Sequence, residues 1–152
     1  LRLLTAIWVA VISLDRLTKI VAGAFLLHGT PVRLLPFLHL TLVHNEGAAF
    51  GMLPGMRWVL VATNAVVGFG VFVLGRYLDG EGRLPFVALG LIGGGAVGNL
   101  IDRAWRGYVV DFLDLEVWPV FNIADMAIVS GGILLGWYLL GSLRAKPGMD
   151  RT

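Results

Sequence analysis

Apolar residues run along this chain in four long blocks, separated by stretches in which charge, proline and glycine collect. The blocks cover Leu3 to Ala22, Arg57 to Leu78, Leu84 to Ile101 and Val120 to Leu143. Each is close to the roughly 20 residues that a helix needs to cross a bilayer. Elsewhere the period changes: HLTLVHN, from His39 to Asn45, alternates in polarity like a strand, and small residues follow it in GAAFG. Around Asp111 the apolar residues Val109, Val110 and Phe112 suggest a second extended stretch lying against the helix ends, with Asp111 and Asp114 on opposite faces. The pattern predicts an all-α membrane protein of four transmembrane helices in one domain, with a small extracytoplasmic β-rich segment between helices 1 and 2.

Composition agrees. The 152 residues have a mean hydropathy of +0.82 and only 14% are charged, against about 25% in a soluble domain. The net charge of +2 is not gathered into a basic run, which argues against a nucleic-acid partner. There is no cysteine, so disulfides, a thiolate nucleophile and a thiolate metal site are excluded. His28, His39 and His44 are irregularly spaced and read as surface or hydrogen-bonding residues, not as a zinc site. No cofactor or metal is expected, and any chemistry must come from oxygen and nitrogen groups.

An even number of spans puts both termini on one side, together with Arg2, Arg76, Arg83, Arg144, Lys146 and Arg151, and the positive-inside rule makes that side cytoplasmic. Arg16, Lys19, Arg33, Arg57, Arg103 and Arg106 fall on the other side, so the basic residues alone are balanced. The carboxylates are not: Asp79, Glu81 and Asp150 are cytoplasmic, whereas Asp15, Glu46, Asp102, Asp111, Asp114, Glu116 and Asp125 lie outside. Ala22-Gly23-Ala24 has the look of a signal-peptide cleavage site, but Asp15, Arg16 and Lys19 precede it where such a peptide is uncharged, so a retained helix is expected.

Within this frame Asp125 stands out, because an ionisable group in the opening turns of a span costs roughly 2.5 to 3.5 kcal/mol on insertion scales unless it is paired or near water. GNLID closes the third span with Asn99 and Asp102, and FNIAD opens the fourth with Asn122 and Asp125. In each the amide and the acid are three apart and share a helix face. Gly90, Gly94 and Gly98 in the third span, and Gly132 and Gly136 in the fourth, suggest that these two helices approach closely. Two carboxylates held together in a low-dielectric site share a proton, and one can activate water while the other serves a carbonyl oxygen. Spacing gives Asp125 a carboxylate partner but leaves Asp102 and Asp111 in competition: Asp102 has the repeated motif and Arg103 beside it, Asp111 has apolar neighbours. Asp15 and Lys19 are four apart in the favourable order for an ion pair on one helix face. A proton-relay transporter would need a polar track through the bundle, whereas these acids gather at its outer end.

DRLTK, NEGAAF, GNLIDR, VVDF and FNIAD, in this order on four spans, resemble the lipoprotein signal peptidase family, also called signal peptidase II. The resemblance runs from Leu14 to the end of the fourth span. It implies a single integral-membrane peptidase domain over residues 1–152, an aspartic endopeptidase of the bacterial cytoplasmic (inner) membrane. Such an enzyme removes the signal peptide of a prolipoprotein by cutting before a cysteine that carries diacylglycerol. The resemblance implies Asp111 and Asp125 as the catalytic pair. It implies a supporting or substrate-binding shell of Asn45, Gly47, Asn99, Asp102, Arg103 and Asn122, with Asp15 and Lys19 from the first-helix motif. It also implies membrane lipid as surroundings, globomycin-type cyclic peptides as inhibitors, and action as a monomer. One departure is the short connection between VVDF and FNIAD.

Overall fold

The computed structural model describes residues 1–27, 30–47, 55–78 and 82–144. Four helices form where the apolar blocks predict them: α1 (Arg2–Phe25), α2 (Arg57–Gly75), α3 (Arg83–Trp105) and α4 (Ile123–Arg144). Three strands, β1 (Val32–Leu35), β2 (Leu38–Asn45) and β3 (Val109–Asp114), make one antiparallel sheet in that order. α2, α3 and α4 are long and apolar enough to cross a membrane. α1, at 24 residues, is as long but carries Arg2, Asp15, Arg16 and Lys19. His28, Ala48 to Gly51 of the GAAFG stretch, and Asp79 to Glu81 lie outside the described residues, as do Lys146, Asp150 and Arg151.

α3 is the central helix and packs against the other three. Gly90, Gly94 and Gly98 face Ile7, Val11 and Asp15 of α1 in rising order, so α1 and α3 run parallel. Gly68 of α2 faces Val97, Arg57 at the start of α2 reaches the end of α3, and α2 is therefore antiparallel to α3. α4 is antiparallel as well, with Gly95 against Ala124 and Ile128 and Gly131 against Ala88 and Ile92.

These contacts correct the expectation drawn from the glycine spacing. Gly90 and Gly94 serve the α1 interface, Gly98 lies between Asp15 and Ala124, and Gly132 and Gly136 meet nothing within 4 Å. The α3–α4 approach rests on Gly95 and Gly131, where a side chain would strike backbone that cannot move aside: a Cβ on Gly131 would lie 2.6 Å from the Ala88 carbonyl oxygen. Spacing defines a face but not the neighbour it meets. Accordingly Gly131→Val should lower the thermal midpoint in detergent by several degrees, at roughly 1 to 3 kcal/mol for overpacking, whereas Gly132→Val should leave it near wild type. Equal melting of the two variants would remove Gly131 from the interface.

The sheet sits at the end of the bundle where α1 and α3 finish and α2 and α4 begin. Its position differs from the prediction in one respect: the third strand comes from between α3 and α4. Alternation explains why it joins. Val110 and Phe112 turn to one face and bury with Leu42 against Ala22 of α1 and Leu26 just beyond it, leaving Asp111 on the other face, where Val43 and Asn45 also point. Gly107, at φ 90°, makes the left-handed turn from α3 into β3.

Candidate functional site

Asn122 precedes the first turn of α4, and its spacing to Asp125 has a local cause. The Asn122 side chain accepts from the Asp125 amide N–H at 2.9 Å, while Asp125 Oδ2 accepts from the Asn122 amide N–H at 3.2 Å. This is a reciprocal capping arrangement, which fixes the Asp125 rotamer and ties up donors that a helix start leaves unpaired. The chain reaches Asn122 by folding back on β3: Phe121 N–H donates to the Leu113 carbonyl, and the Phe121 carbonyl accepts from the amides of Phe112 and Leu113. The short connection noted in the sequence is therefore a closed loop, with Glu116 at φ 63° near its tip.

That closure brings Asp111 beside Asn122. The amide nitrogen of Asn122 donates to Asp111 Oδ1 at 2.6 Å, and Asn45 of β2 donates to Asp111 Oδ2 at 2.9 Å. Asn45 is itself oriented by accepting from the Gly47 N–H at 3.0 Å. Asn99, from α3, donates to Asp125 Oδ1 at 2.8 Å. Asp111 is 1% exposed and Asp125 half-buried, and both line one slot of about 230 Å³ with Asn45, Arg103 and Trp118. Burial, and next the charge of Asp125, push the Asp111 carboxyl up to about 6, against the opposing donors Asn45 and Asn122.

Asp102 is elsewhere. It is fully buried, with Arg16 Nη1 at 2.7 Å on one oxygen and Lys19 Nζ at 2.7 Å on the other. Lys19 also meets Asp15 Oδ2 at 2.8 Å and donates to Asn99 Oδ1 at 3.2 Å, so three oxygens surround its ammonium group. Asp15 Oδ1 in turn accepts from the Ala124 amide at 3.0 Å. Lys19 and Asp15 thus form the interior joint of α1, α3 and α4. Arg103 does not pair with Asp102, because consecutive helical residues point about 100° apart. Its Nη2 donates to the Gly47 carbonyl at 2.9 Å, and its buried Nε has no partner among the described residues.

The Signal peptidase (SPase) II family model matches residues 7–141. The chain belongs to the signal peptidase II family. It is 48% identical over 134 residues to the lipoprotein signal peptidase of Moorella thermoacetica, covering 86% of this chain and 87% of that one. To the lipoprotein signal peptidase of Pelotomaculum thermopropionicum it is 42% identical over 144 residues, covering 93% of each. The lipoprotein signal peptidase of Mycobacterium tuberculosis is 48% identical over 146 residues, with 89% of this chain and 69% of that one covered. Two solved structures, each described as a bacterial membrane enzyme studied by the in meso method, match the fold. One, at 2.3 Å resolution, has a TM-score of 0.84 and 30% identity over 98% of this chain and 94% of that one. The other, at 1.9 Å, has a TM-score of 0.77 and 32% identity over 90% and 92%. With three helices apolar enough to cross a membrane and neighbours that are membrane enzymes, this signal peptidase II family member is a membrane protein.

Every residue proposed from the sequence lies in this part of the molecule, but in two groups: Asn45, Gly47, Asn99, Arg103, Asp111, Asn122 and Asp125 at the slot, and Asp15, Lys19 and Asp102 in the ionic joint behind it. Asp114, on the face opposite Asp111, accepts from the Thr41 hydroxyl at 2.8 Å and the Glu116 N–H at 2.8 Å. Two contributors escaped sequence reasoning. Trp118 lines the slot and both spaces adjoining it. Arg57 binds the carbonyls of Arg103 and Ala104 at 2.7 and 2.6 Å, capping α3 from another helix. A basic residue at the start of a span reads as an interface anchor, so nothing local reveals that contact.

Proposed function

We propose that the protein is an aspartic endopeptidase that removes the signal peptide from diacylglyceryl-modified prolipoproteins, with water activated between Asp111 and Asp125. The observation that carries this reading is that Asn122 binds both carboxylates and both face one slot. In this reading all four helices cross the cytoplasmic membrane of a bacterium, both termini are cytoplasmic, and the slot opens at the outer face. The depth suits the substrate, since an acylated cysteine stays in the bilayer. A single chain suffices, because α1, α3, α4, β2 and β3 supply the whole set.

In this reading the two aspartates have different roles. Asp125, half-buried at the start of α4, is the member that takes a proton from water. Asp111, buried and facing Asp125, keeps its proton and donates to the scissile carbonyl oxygen. Water oxygen bonds to the carbonyl carbon, giving a tetrahedral diol. Its collapse breaks the C–N bond, with the proton from Asp125 passing to the leaving nitrogen and Asp111 recovering its own. The unpartnered Arg103 Nε is a donor for substrate backbone and its charge balances one ionised carboxylate, not two. A globomycin-type cyclic peptide is expected to occupy the same slot.

The test is cleavage by purified protein in detergent of a prolipoprotein with and without its diacylglyceryl group. Cutting of the modified form alone supports the reading, and no cutting of a competent substrate overturns it. Losing the shared proton should stop turnover, so kcat/KM is expected to fall with an alkaline limb near pH 6. Because the Asn45 donor holds Asp111 down, Asn45→Ala should move that limb to higher pH. A limb that stays in place would separate Asn45 from the titrating group.

A further inference from the structure

Three connected spaces meet at Trp118. The slot holding both aspartates opens on one side into an apolar groove of about 360 Å³ lined by Leu115, Phe121, Asp125, Met126 and Val129. On the other side it opens into a larger pocket of about 720 Å³, which Asp111, Asn45 and Gly47 border. Asp125 thus fronts the apolar space and Asp111 the polar one. Besides Asp111, two carboxylates line the larger pocket, Glu46 on the segment leaving β2 and Glu116 at the tip of the closed loop. The Glu116 side chain is 62% exposed and lies 3.3 Å from His39 Nδ1, a pair that carries opposite charge only when His39 is protonated. No lysine or arginine lines this pocket among the described residues, and Arg103 belongs to the slot.

Resting on the proposed peptidase activity, we propose that the larger pocket is the subsite for the chain downstream of the cut and that Glu46 and Glu116 make it favour substrates with basic side chains there. Polarity sets the direction. A signal segment is apolar and bilayer-bound, so it takes the groove along α4, while the water-soluble chain that follows leaves past Asp111 and the sheet. The first residues after the cut then lie within the field of two like charges that no lysine or arginine among the described pocket residues offsets. Both glutamates are solvent-exposed, so the effect is a bias in encounter and binding, sensitive to salt, and not an absolute requirement.

The test uses diacylglyceryl-modified prolipoproteins identical except for lysine, glutamine or glutamate at the second and third residues downstream of the cut. At low ionic strength the lysine form is expected to show a kcat/KM about threefold or more above the glutamate form, the range of exposed charge pairs. The ratio should approach one in Glu46→Gln/Glu116→Gln, and in wild type at about 0.5 M salt, where screening is nearly complete at these separations. The glutamine form reports whether each protein is folded and competent. A lysine-to-glutamate ratio near one in wild type, or a ratio that survives in the double variant, overturns the subsite. If the double variant does not fold, the single variants and the wild-type salt dependence decide the same question. Failure of wild type to cut all three forms would instead overturn the peptidase reading itself.

Discussion

Asp125→Asn is expected to reduce the rate of prolipoprotein cleavage by at least about a thousandfold, the upper range for a positioned acid–base group. The substitution is nearly isosteric, and the one amide oxygen can keep the bond from the Asn122 N–H or the bond from Asn99, though not both. What it removes is the group proposed to take the proton from water. Asp111→Asn should be as damaging, because an amide beside Asn45 and Asn122 cannot return a proton to the carbonyl oxygen. Asp102→Asn differs in kind: it breaks ion pairs with Arg16 and Lys19, so its loss of activity should follow loss of folded protein. Cleavage assays read beside thermal unfolding separate the cases. Wild-type turnover by Asp125→Asn would remove it from the chemistry.

The same pair has a stability signature. Asp111 sits near 6 in the folded state against 3.8 for the free group, so the folded state binds its proton more tightly than the unfolded one. The stabilisation linked to that proton is fully present below about 3.8 and is lost as pH rises through about 6, a difference of roughly 3 kcal/mol at alkaline pH. Asp111→Asn escapes this penalty but offers one carbonyl oxygen to two donors, a loss of about 1 kcal/mol. It should therefore melt above wild type near pH 8 and below it near pH 4.

The helices were legible because the apolar block is a local property: all four lie within a few residues of the predicted spans. β2 was legible for the same reason. The membership of β3 in that sheet was not, since Asp111 pairs with Val43, 68 positions earlier, and register between distant strands leaves no local mark. The site shows the same division. The spacing from Asn122 to Asp125 was visible, though its cause is capping as much as a shared face. The choice between Asp102 and Asp111 was not visible, because the partners of Asp102 come from α1, more than 80 residues away. Its neighbour Arg103 suggested a pairing that helix geometry rules out. Only the resemblance selected Asp111, and the geometry places Asp111, not Asp102, in the slot with Asp125.

Lys19→Met should be the most destabilising single change in the ionic joint. Lys19 is completely buried, and its removal leaves Asp15 without a cation while Asp102 keeps only Arg16. Breaking a buried pair from one side costs about 3 to 5 kcal/mol, because the remaining charge stays desolvated. Lys19→Arg should not restore the joint, since a planar guanidinium does not fit three acceptors gathered around one nitrogen. Lys19→Met/Asp15→Leu should recover much of the melting temperature, because it removes both ends of one pair, although the Ala124 amide then loses its acceptor. Activity should not recover with it. Asn99 is oriented on the oxygen side by Lys19 at 3.2 Å and the Asn122 amide at 3.3 Å, and passes that orientation to Asp125 on the nitrogen side. With Lys19 absent only the longer Asn122 bond holds the Asn99 oxygen in place, and the amide is freer to turn over and set that oxygen against the carboxylate. A double variant that regains stability but stays slow locates the function of Lys19 in positioning Asn99, whereas full recovery of both would make the joint structural alone.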